Sequence, residues 1–270
     1  VIRLGTAQIA AGSSKKENLE RISRIVAEAR AAGVELLVLP EYSSYWDGEE
    51  FGRGFTENAE PVSDGEFVTT LRGLASDAGM WIVAGMLETA PDEKKRVFNT
   101  VVGVSPSGVV EVTYRKIHLY DAYGGTESVF LLHGDPDQRP RFRAGGLTFA
   151  VSTCYDVRFP EIMRRGGEDP ADAILLPAVW TPGPLKSMHW ETLTRARAIE
   201  NIAYLAAVTA PFPESIGQSR VLGPDGTVLC EAGAREQLLT VDLNHAAVSA
   251  ERDRNTSLTN RRYRVIGDKK

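Results

Sequence analysis

LTFAVSTCYDVRFPE, Leu147 to Glu161, is the stretch on which the reading of this chain turns. Leu147 to Val151 is an apolar run that reads as a buried strand. It stops at Ser152-Thr153-Cys154, and a polar segment follows at once. Pro160 sits where a helix would begin, at or near its first turn. Cys154 therefore falls at the carboxyl end of a strand, just before a helix. Ligands and chemistry gather at that edge of an α/β sheet. A nearby helix N-terminus also favours a thiolate, the reactive form of cysteine. The competing reading is a buried cysteine acting as a small hydrophobe. The rest of the chain decides between the two.

Working outward, the pattern before this stretch is repeated after it. Ile2 to Gln8 reads as a strand. Ser13 or Ser14 can cap a helix running to about Ala32, with Leu19, Ile22, Val26 and Ala29 on one face and Gly33 as its stop. Glu35 to Pro40 is a continuous apolar strand of the kind found inside parallel sheets, and it delivers Glu41 at its carboxyl end. A Gly- and aromatic-rich loop, Tyr42 to Gly65, leads to a helix from about Glu66 with Phe67, Leu71, Leu74 and Ala78 inward. The strand Trp81 to Gly85 follows, then a hairpin of Phe98–Val104 and Val109–Lys116 around Ser105-Pro-Ser-Gly108. After an irregular stretch, Asp121 to Gly146, the order recurs. It comprises the strand Leu147–Thr153, the short helix Phe159–Arg165, the strand Asp172–Pro177, the helix Ser187–Asn201, the strand Tyr204–Thr209 and a hairpin turn at Gly223-Pro-Asp-Gly226. Gln237–Asp242 adds a last strand and Asn244–Asp253 a short helix. The repeat is one of topology, with little residue identity, and no Pro/Ser-rich linker divides the halves. The expected fold is α/β: two sheets face to face with helices outside, a four-layer α-β-β-α sandwich with an internal pseudo-two-fold. Residues 1–253 read as a single domain and 254–270 as a C-terminal tail without a core pattern, disordered or docked on a partner subunit.

Composition narrows the class. The chain has 270 residues, 43% hydrophobic and 25% charged, so it can build a large globular core. A net charge of −5 leaves no basic footprint for nucleic acid. No apolar run reaches the roughly 18 residues of a membrane-spanning helix. The start, VIRLGTAQIAAG, reads as a strand and lacks a signal-peptide pattern. Cys154 and Cys230 make neither a disulfide framework nor a zinc spacing, which fits a reducing cytoplasm. Cys230, in an apolar strand, reads as core.

Three reactive residue types sit at strand ends: Glu41, Lys116 and Cys154. A thiol attacks poorly until it is deprotonated, and a carboxylate in a dry pocket can take that proton. Attack on a carbonyl or nitrile carbon builds negative charge, which a lysine ammonium and a backbone N–H can stabilise. Lys116 and the N–H of Tyr155 are the candidates for that oxyanion hole. The bland readings are a loop carboxylate for Glu41 and a solvated strand end for Lys116. Arg158 could hold a substrate carboxylate bidentately, against the plainer reading that it pairs with Asp156 or Glu161. Trp180, Tyr42 and Trp46 are candidates for pocket walls, against plain packing. On a strand, His118 and Lys116 would share a face, with a packing role for His118. His189 and Trp190 open a helix and read as structural.

The motifs resemble the nitrilase, or carbon–nitrogen hydrolase, superfamily. Leu39-Pro40-Glu41 resembles its glutamate motif, Tyr114-Arg-Lys-Ile-His-Leu119 its lysine motif and Cys154-Tyr-Asp-Val-Arg-Phe-Pro-Glu161 its cysteine motif. Asn99, Arg195-Ala-Arg-Ala-Ile-Glu-Asn201 and Gly217-Gln-Ser219 resemble further landmarks, and the likeness runs through most of the chain. The resemblance implies the four-layer sandwich, a Glu-Lys-Cys triad, no metal or organic cofactor and homo-oligomers built from dimers. It also implies a second glutamate between the lysine and cysteine motifs, matched by Glu127 in Gly124-Gly-Thr-Glu-Ser128. Leu131-Leu-His-Gly134 stands where the commoner pattern has Pro-Gly. The form of the cysteine motif most resembles members acting on ω-amides of dicarboxylic acids and on deaminated glutathione. The implied activity is hydrolysis of a small linear amide to an acid and ammonia through a thioester. Nitrile or N-carbamoyl hydrolysis is the alternative within enzymes, and a non-catalytic binding member of the fold or a redox thiol protein the alternative outside that chemistry.

Overall fold

The structure, a computed structural model, describes residues 1–164, 170–263 and 265. In chain order it forms β1 (Ile2–Gln8), α1 (Lys15–Ala31), β2 (Leu36–Val38), α2 (Phe55–Asn58), α3 (Glu66–Ala78), β3 (Trp81–Glu88), β4 (Phe98–Val104), β5 (Val110–Arg115), α4 (Glu127–Phe130), β6 (Arg141–Ala144) and β7 (Leu147–Val151). It continues with α5 (Pro160–Met163), β8 (Ala173–Ala178), α6 (Lys186–Asn201), β9 (Tyr204–Thr209), β10 (Arg220–Leu222), β11 (Val228–Glu231), β12 (Gln237–Leu243) and α7 (His245–Arg254).

Among the described residues the strands form two six-stranded sheets, ordered β12-β1-β2-β3-β4-β5 and β11-β10-β9-β8-β7-β6. In the first, β1, β2 and β3 run parallel and β4 and β5 return antiparallel. The second repeats this with β7, β8 and β9 parallel and β10 and β11 antiparallel. Each sheet is closed on its first-strand edge by one antiparallel strand, β12 on β1 and β6 on β7. This is the pseudo-two-fold expected from the repeated order of elements.

The layers follow from where apolar residues sit. A central core joins the sheets through Leu4, Leu36, Val38 and Val83 on one side and Phe149, Val151, Leu175 and Ala206 on the other. A second core packs α1 and α3 on the outer face of the first sheet, through Leu19, Ile22, Val26, Phe67 and Leu71 against Leu37, Ile82 and Val102. A third joins Trp190 and Ala198 of α6 to Ile174, Leu176 and Leu205. β2 and β8 are buried along their whole length because both their faces are covered. Each fully buried aliphatic or aromatic side chain contributes about 1.5–3 kcal/mol.

Local signals set the ends of these elements. Ser14 caps α1 by accepting from the Glu17 N–H at 3.4 Å. Gly33 follows the helix with φ +74°, a left-handed conformation open to glycine. Pro160 is at the first turn of α5, as its missing N–H allows. Asn244 caps α7 through the Ala247 N–H.

Several expectations are corrected. β3 continues past Gly85 to Glu88 because β4 pairs with it from Ile82 to Glu88. The stretch Asp121–Gly146 contains α4 and β6, the latter a four-residue edge strand in which Arg141 and Arg143 alternate with the buried Phe142 and Ala144, too short a run to stand out in the sequence. β5 ends at Arg115, so Lys116 and His118 lie beyond it and strand alternation does not govern them. α7 runs one residue into the expected tail, and a 3₁₀ turn, Thr256–Leu258, follows. The expected end of the short helix at Arg165, and tail positions 264 and 266–270, lie outside the described residues.

Candidate active site

The carboxyl ends of β2, β7 and β8 open at one edge of the sandwich, and the reactive side chains meet there. Pro40 ends the strand run, and Glu41 and Tyr42 turn sharply, Tyr42 with φ +55°. On the second sheet, Thr153 leads into a 3₁₀ turn, Cys154–Arg158, with Cys154 itself at φ +43°. A positive φ at a residue with a Cβ costs about 1–3 kcal/mol and persists only where its surroundings hold it. Asp156 does the holding. Its carboxylate is fully buried and accepts from the Thr153 N–H at 2.9 Å and the Tyr114 hydroxyl at 2.6 Å. His118 Nδ1 lies 2.7 Å from the other oxygen, and its ring stacks on Phe159 with centroids 3.7 Å apart. The residues flanking Lys116 thus tie the lysine segment to the cysteine turn, which gives His118 the packing role expected of it.

Glu41, Lys116, Glu127 and Cys154 are all buried. The Lys116 ammonium donates to Glu41 and to Glu127, each at 2.9 Å. Glu41 Oε1 also accepts from Asn99 Nδ2 at 2.6 Å, and Oε2 from the Val179 N–H at 2.7 Å. The last bond crosses from one sheet to the other. Glu127 is fixed by the Tyr42 hydroxyl at 3.1 Å and the Tyr120 N–H at 2.7 Å. The Cys154 thiol points to the Val179 carbonyl at 3.5 Å. The four side chains form one buried cluster, although 75 sequence positions separate Glu41 from Lys116 and Cys154 lies further along still.

Burial dominates the electrostatics. It raises the Glu41 carboxyl above its ordinary range; Lys116 opposes the rise and Glu127 adds to it. Burial pulls the Lys116 ammonium down, but Glu127 and Glu41 outweigh it, and its pKa stands well above the usual lysine value. Burial, then the Glu41 carboxylate, push the Cys154 thiol well above its ordinary value. This corrects the expected thiolate: in the resting site the helix end does not overcome two carboxylates and a dry environment. The nucleophile rests as a thiol beside a base of raised proton affinity.

A cavity of about 390 Å³ opens onto Cys154 and Glu127. Tyr42, Trp46 and Trp180 contribute to its wall, so the three aromatic candidates converge on it, and Tyr155, named for its backbone N–H, lines it too. Glu41 and Lys116 lie behind that wall, bonded to Val179 and Glu127, which face the cavity. Arg158 is outside the lining and forms neither of its expected pairs. Asp156 is already satisfied, and the guanidinium instead meets His189 Nδ1 at 3.3 Å and the Trp180 ring at 4.9 Å. His189, read as structural, lines the cavity, whereas Trp190 is fully buried in the core. Three features were not found from sequence: the Val179 N–H, the Tyr120 N–H and Lys186. The backbone donors carry no side-chain signal. Lys186 had one, a charged residue between Trp180 and a helix start.

A four-layer sandwich with a carboxylate–ammonium–thiol cluster at the strand ends defines a class, the nitrilase-type hydrolases. The chain belongs to the carbon–nitrogen hydrolase family, whose profile matches residues 3–253. It is 34% identical to a Mycobacterium tuberculosis protein named only as a hydrolase, over 99% of this chain and 98% of that one. It is 30% identical to the deaminated glutathione amidase of Escherichia coli O157:H7, over 96% of this chain and 97% of that one. Among solved structures, a Xanthomonas campestris CN-hydrolase superfamily protein with an arsenic adduct in its active site superposes with a TM-score of 0.86 at 26% identity, covering 98% and 99% of the two chains. An amidase from Nesterenkonia sp., in complex with acrylamide, superposes with a TM-score of 0.82 at 26% identity, covering 97% and 94%. The protein is a carbon–nitrogen hydrolase of amidase-like kind. No helix among the described residues is long and apolar enough to cross a membrane.

Proposed function

We propose that the enzyme hydrolyses a small linear amide to an acid and ammonia through a thioester on Cys154. The observation that carries this reading is the Lys116 ammonium held by both Glu41 and Glu127 beside a buried thiol. Glu41 takes the thiol proton as Sγ attacks the carbonyl carbon. The developing oxyanion is stabilised by Lys116, whose third N–H is not committed to Glu41 or Glu127, and by the Tyr155 N–H. The C–N bond then breaks as protonated Glu41 returns the proton to the leaving amine. Glu41 next deprotonates water, which attacks the thioester, and the sulfur leaves with that proton. Glu127 aims the lysine and exchanges no proton.

Tyr42 and Trp180 shape the substrate site, and Arg158 acts on it through its contact with the Trp180 ring. The names of the relatives, an ω-amidase of Xenopus tropicalis and the E. coli amidase among them, support an amide over a nitrile or an N-carbamoyl compound. The intact cluster disfavours a non-catalytic binding member. A redox thiol role lacks a partner, since Cys230 lies on β11 and packs on the central core. The proposal includes a reducing, cytoplasmic setting that keeps Cys154 a thiol, and a homodimer or higher homo-oligomer. A panel of amides, nitriles and N-carbamoyl compounds tests the reaction class by ammonia release and by the mass added to Cys154. Turnover confined to nitriles would overturn the amide assignment.

A further inference from the structure

Lys186, the first residue of α6, is the second buried lysine of this site. It is 9% exposed and lines the same cavity as Cys154. Its surroundings differ sharply from those of Lys116. The Lys186 ammonium donates to the Tyr120 hydroxyl at 3.1 Å and, at 3.4 Å, to Thr181 Oγ1. It lies 4.7 Å from the Tyr120 ring centroid and 4.9 Å from that of Trp180. Among the described residues no carboxylate forms an ion pair with it. The Arg158 guanidinium approaches the same Trp180 ring to 4.9 Å, and its buried Nε has no hydrogen-bond partner. Two cations therefore crowd one indole in a protein whose net charge is −5.

Nothing in the fold repays that arrangement. A cation at the first position of a helix opposes the macrodipole, which favours negative charge there. A desolvated charge without a counter-ion is costly, and two like charges around one ring add to the cost. Aromatic faces and hydroxyls soften the penalty without neutralising it. Burial lowers the proton affinity of Lys186 as this predicts, with Cys154 opposing the fall and Arg158 adding to it. An anion entering the cavity would remove the imbalance.

We propose that Lys186 is the specificity-determining cation of the cavity and takes a carboxylate carried by the substrate. This rests on the amidase reading above and adds to it the charge of the substrate and the residue that reads it. The carboxylate can belong to the acyl chain, with ammonia as the amine released, or to the leaving amine, in which case an amino acid is released in place of ammonia and is itself the product assayed. Half-amides of four- to six-carbon dicarboxylic acids represent the first source and N-acyl amino acids the second. Each is compared with the neutral amide of the same length by the ratio of kcat/KM values. The ratio favours the anionic partner in the native enzyme for one of the two series, and that series names the source. In Lys186→Met it falls by about 30-fold or more, the usual scale for truncating one partner of a buried charge pair. Lys186→Arg restores part of it. Lys186→Gln, which keeps a donor for Tyr120 and Thr181, replaces the methionine variant if that one does not fold. A ratio that is the same in native enzyme and variants overturns the inference.

A second measurement separates this from the amidase reading. Alkylation of Cys154 by ω-bromoalkanoates is compared with that by the matching bromoalkanamides, which needs no turnover. A preference for the anionic reagent that Lys186→Met abolishes supports the inference even if no amide is hydrolysed. No such preference, in an enzyme that hydrolyses neutral amides, removes Lys186 from recognition while leaving the amidase reading intact.

Discussion

Cys154 is a thiol held next to its base, and single substitutions around it test that arrangement. Cys154→Ala is expected to abolish turnover with the fold intact, and Cys230→Ala to leave it near native; ammonia release measured on both variants checks this. Glu41 must be ionised to accept the thiol proton, and burial raises its carboxyl above the ordinary range. Activity is therefore present above that raised value and lost as pH falls through it. The acid limb of kcat/KM should lie above the ordinary glutamate value of about 4.3. Glu127 contributes to the rise by like-charge repulsion. Glu127→Gln should thus move the acid limb to lower pH while slowing acylation by roughly 10²-fold, because Lys116 loses its second counter-ion. Single-turnover acylation across pH measures both effects. A rate within about twofold of native would place Glu127 outside the site.

At the scale of elements, the site depends on how closely strands approach the turns that carry it. Gly85 of β3 sits against the Glu41 turn: a Cβ there would be 2.6 Å from Glu41 Cα and 2.8 Å from the Tyr42 N. Its own N–H donates to the Pro40 carbonyl at 3.1 Å. Gly85→Ala should force that backbone apart, costing about 1–3 kcal/mol as overpacking does, and lower the acylation rate by displacing Glu41. Gly73, in the middle of α3, is the control, because a Cβ there meets nothing within 4 Å. Gly73→Ala should stabilise by about 0.5–1 kcal/mol through helix propensity and leave activity alone. Urea denaturation and rate measurements on the pair separate an approach that positions the base from a generic glycine effect.

For the whole molecule, the central core is the deciding feature. Leu4 and Val83 of one sheet share it with Phe149 and Leu175 of the other, so neither half covers its inner face alone. The chain should unfold in one cooperative transition, with the calorimetric and van't Hoff enthalpies equal. Two separate transitions would show that the repeated halves are independent domains. A homo-oligomer, at least a dimer, is expected at micromolar concentration. Light scattering measures it, and a strict monomer would count against it.

The sequence by itself determined the order of the principal strands and helices, though not α2, α4 or β6, and with it the sandwich. Apolar runs such as Leu36–Val38 and Ala173–Ala178 are too uniformly hydrophobic to be covered on only one face. Hairpin signals after each third parallel strand set the repeat. It also placed Glu41 and Cys154, because a strand that ends in a polar residue puts that residue at the sheet edge. Lys116 was legible through its motif, although it lies past the strand rather than on it. Only the tertiary structure decided that the thiol rests protonated, since its proton affinity depends on burial and on carboxylates distant in sequence. It alone showed the Val179 and Tyr120 N–H groups as ligands of the two glutamates. It also set the Arg158 guanidinium against the Trp180 ring, outside the cavity lining, and brought Lys186 to the cavity wall. Hydrophobic patterning acts along the chain and so can be read there. Charge compensation and backbone donation act through space, between residues that only the packed sheets bring together.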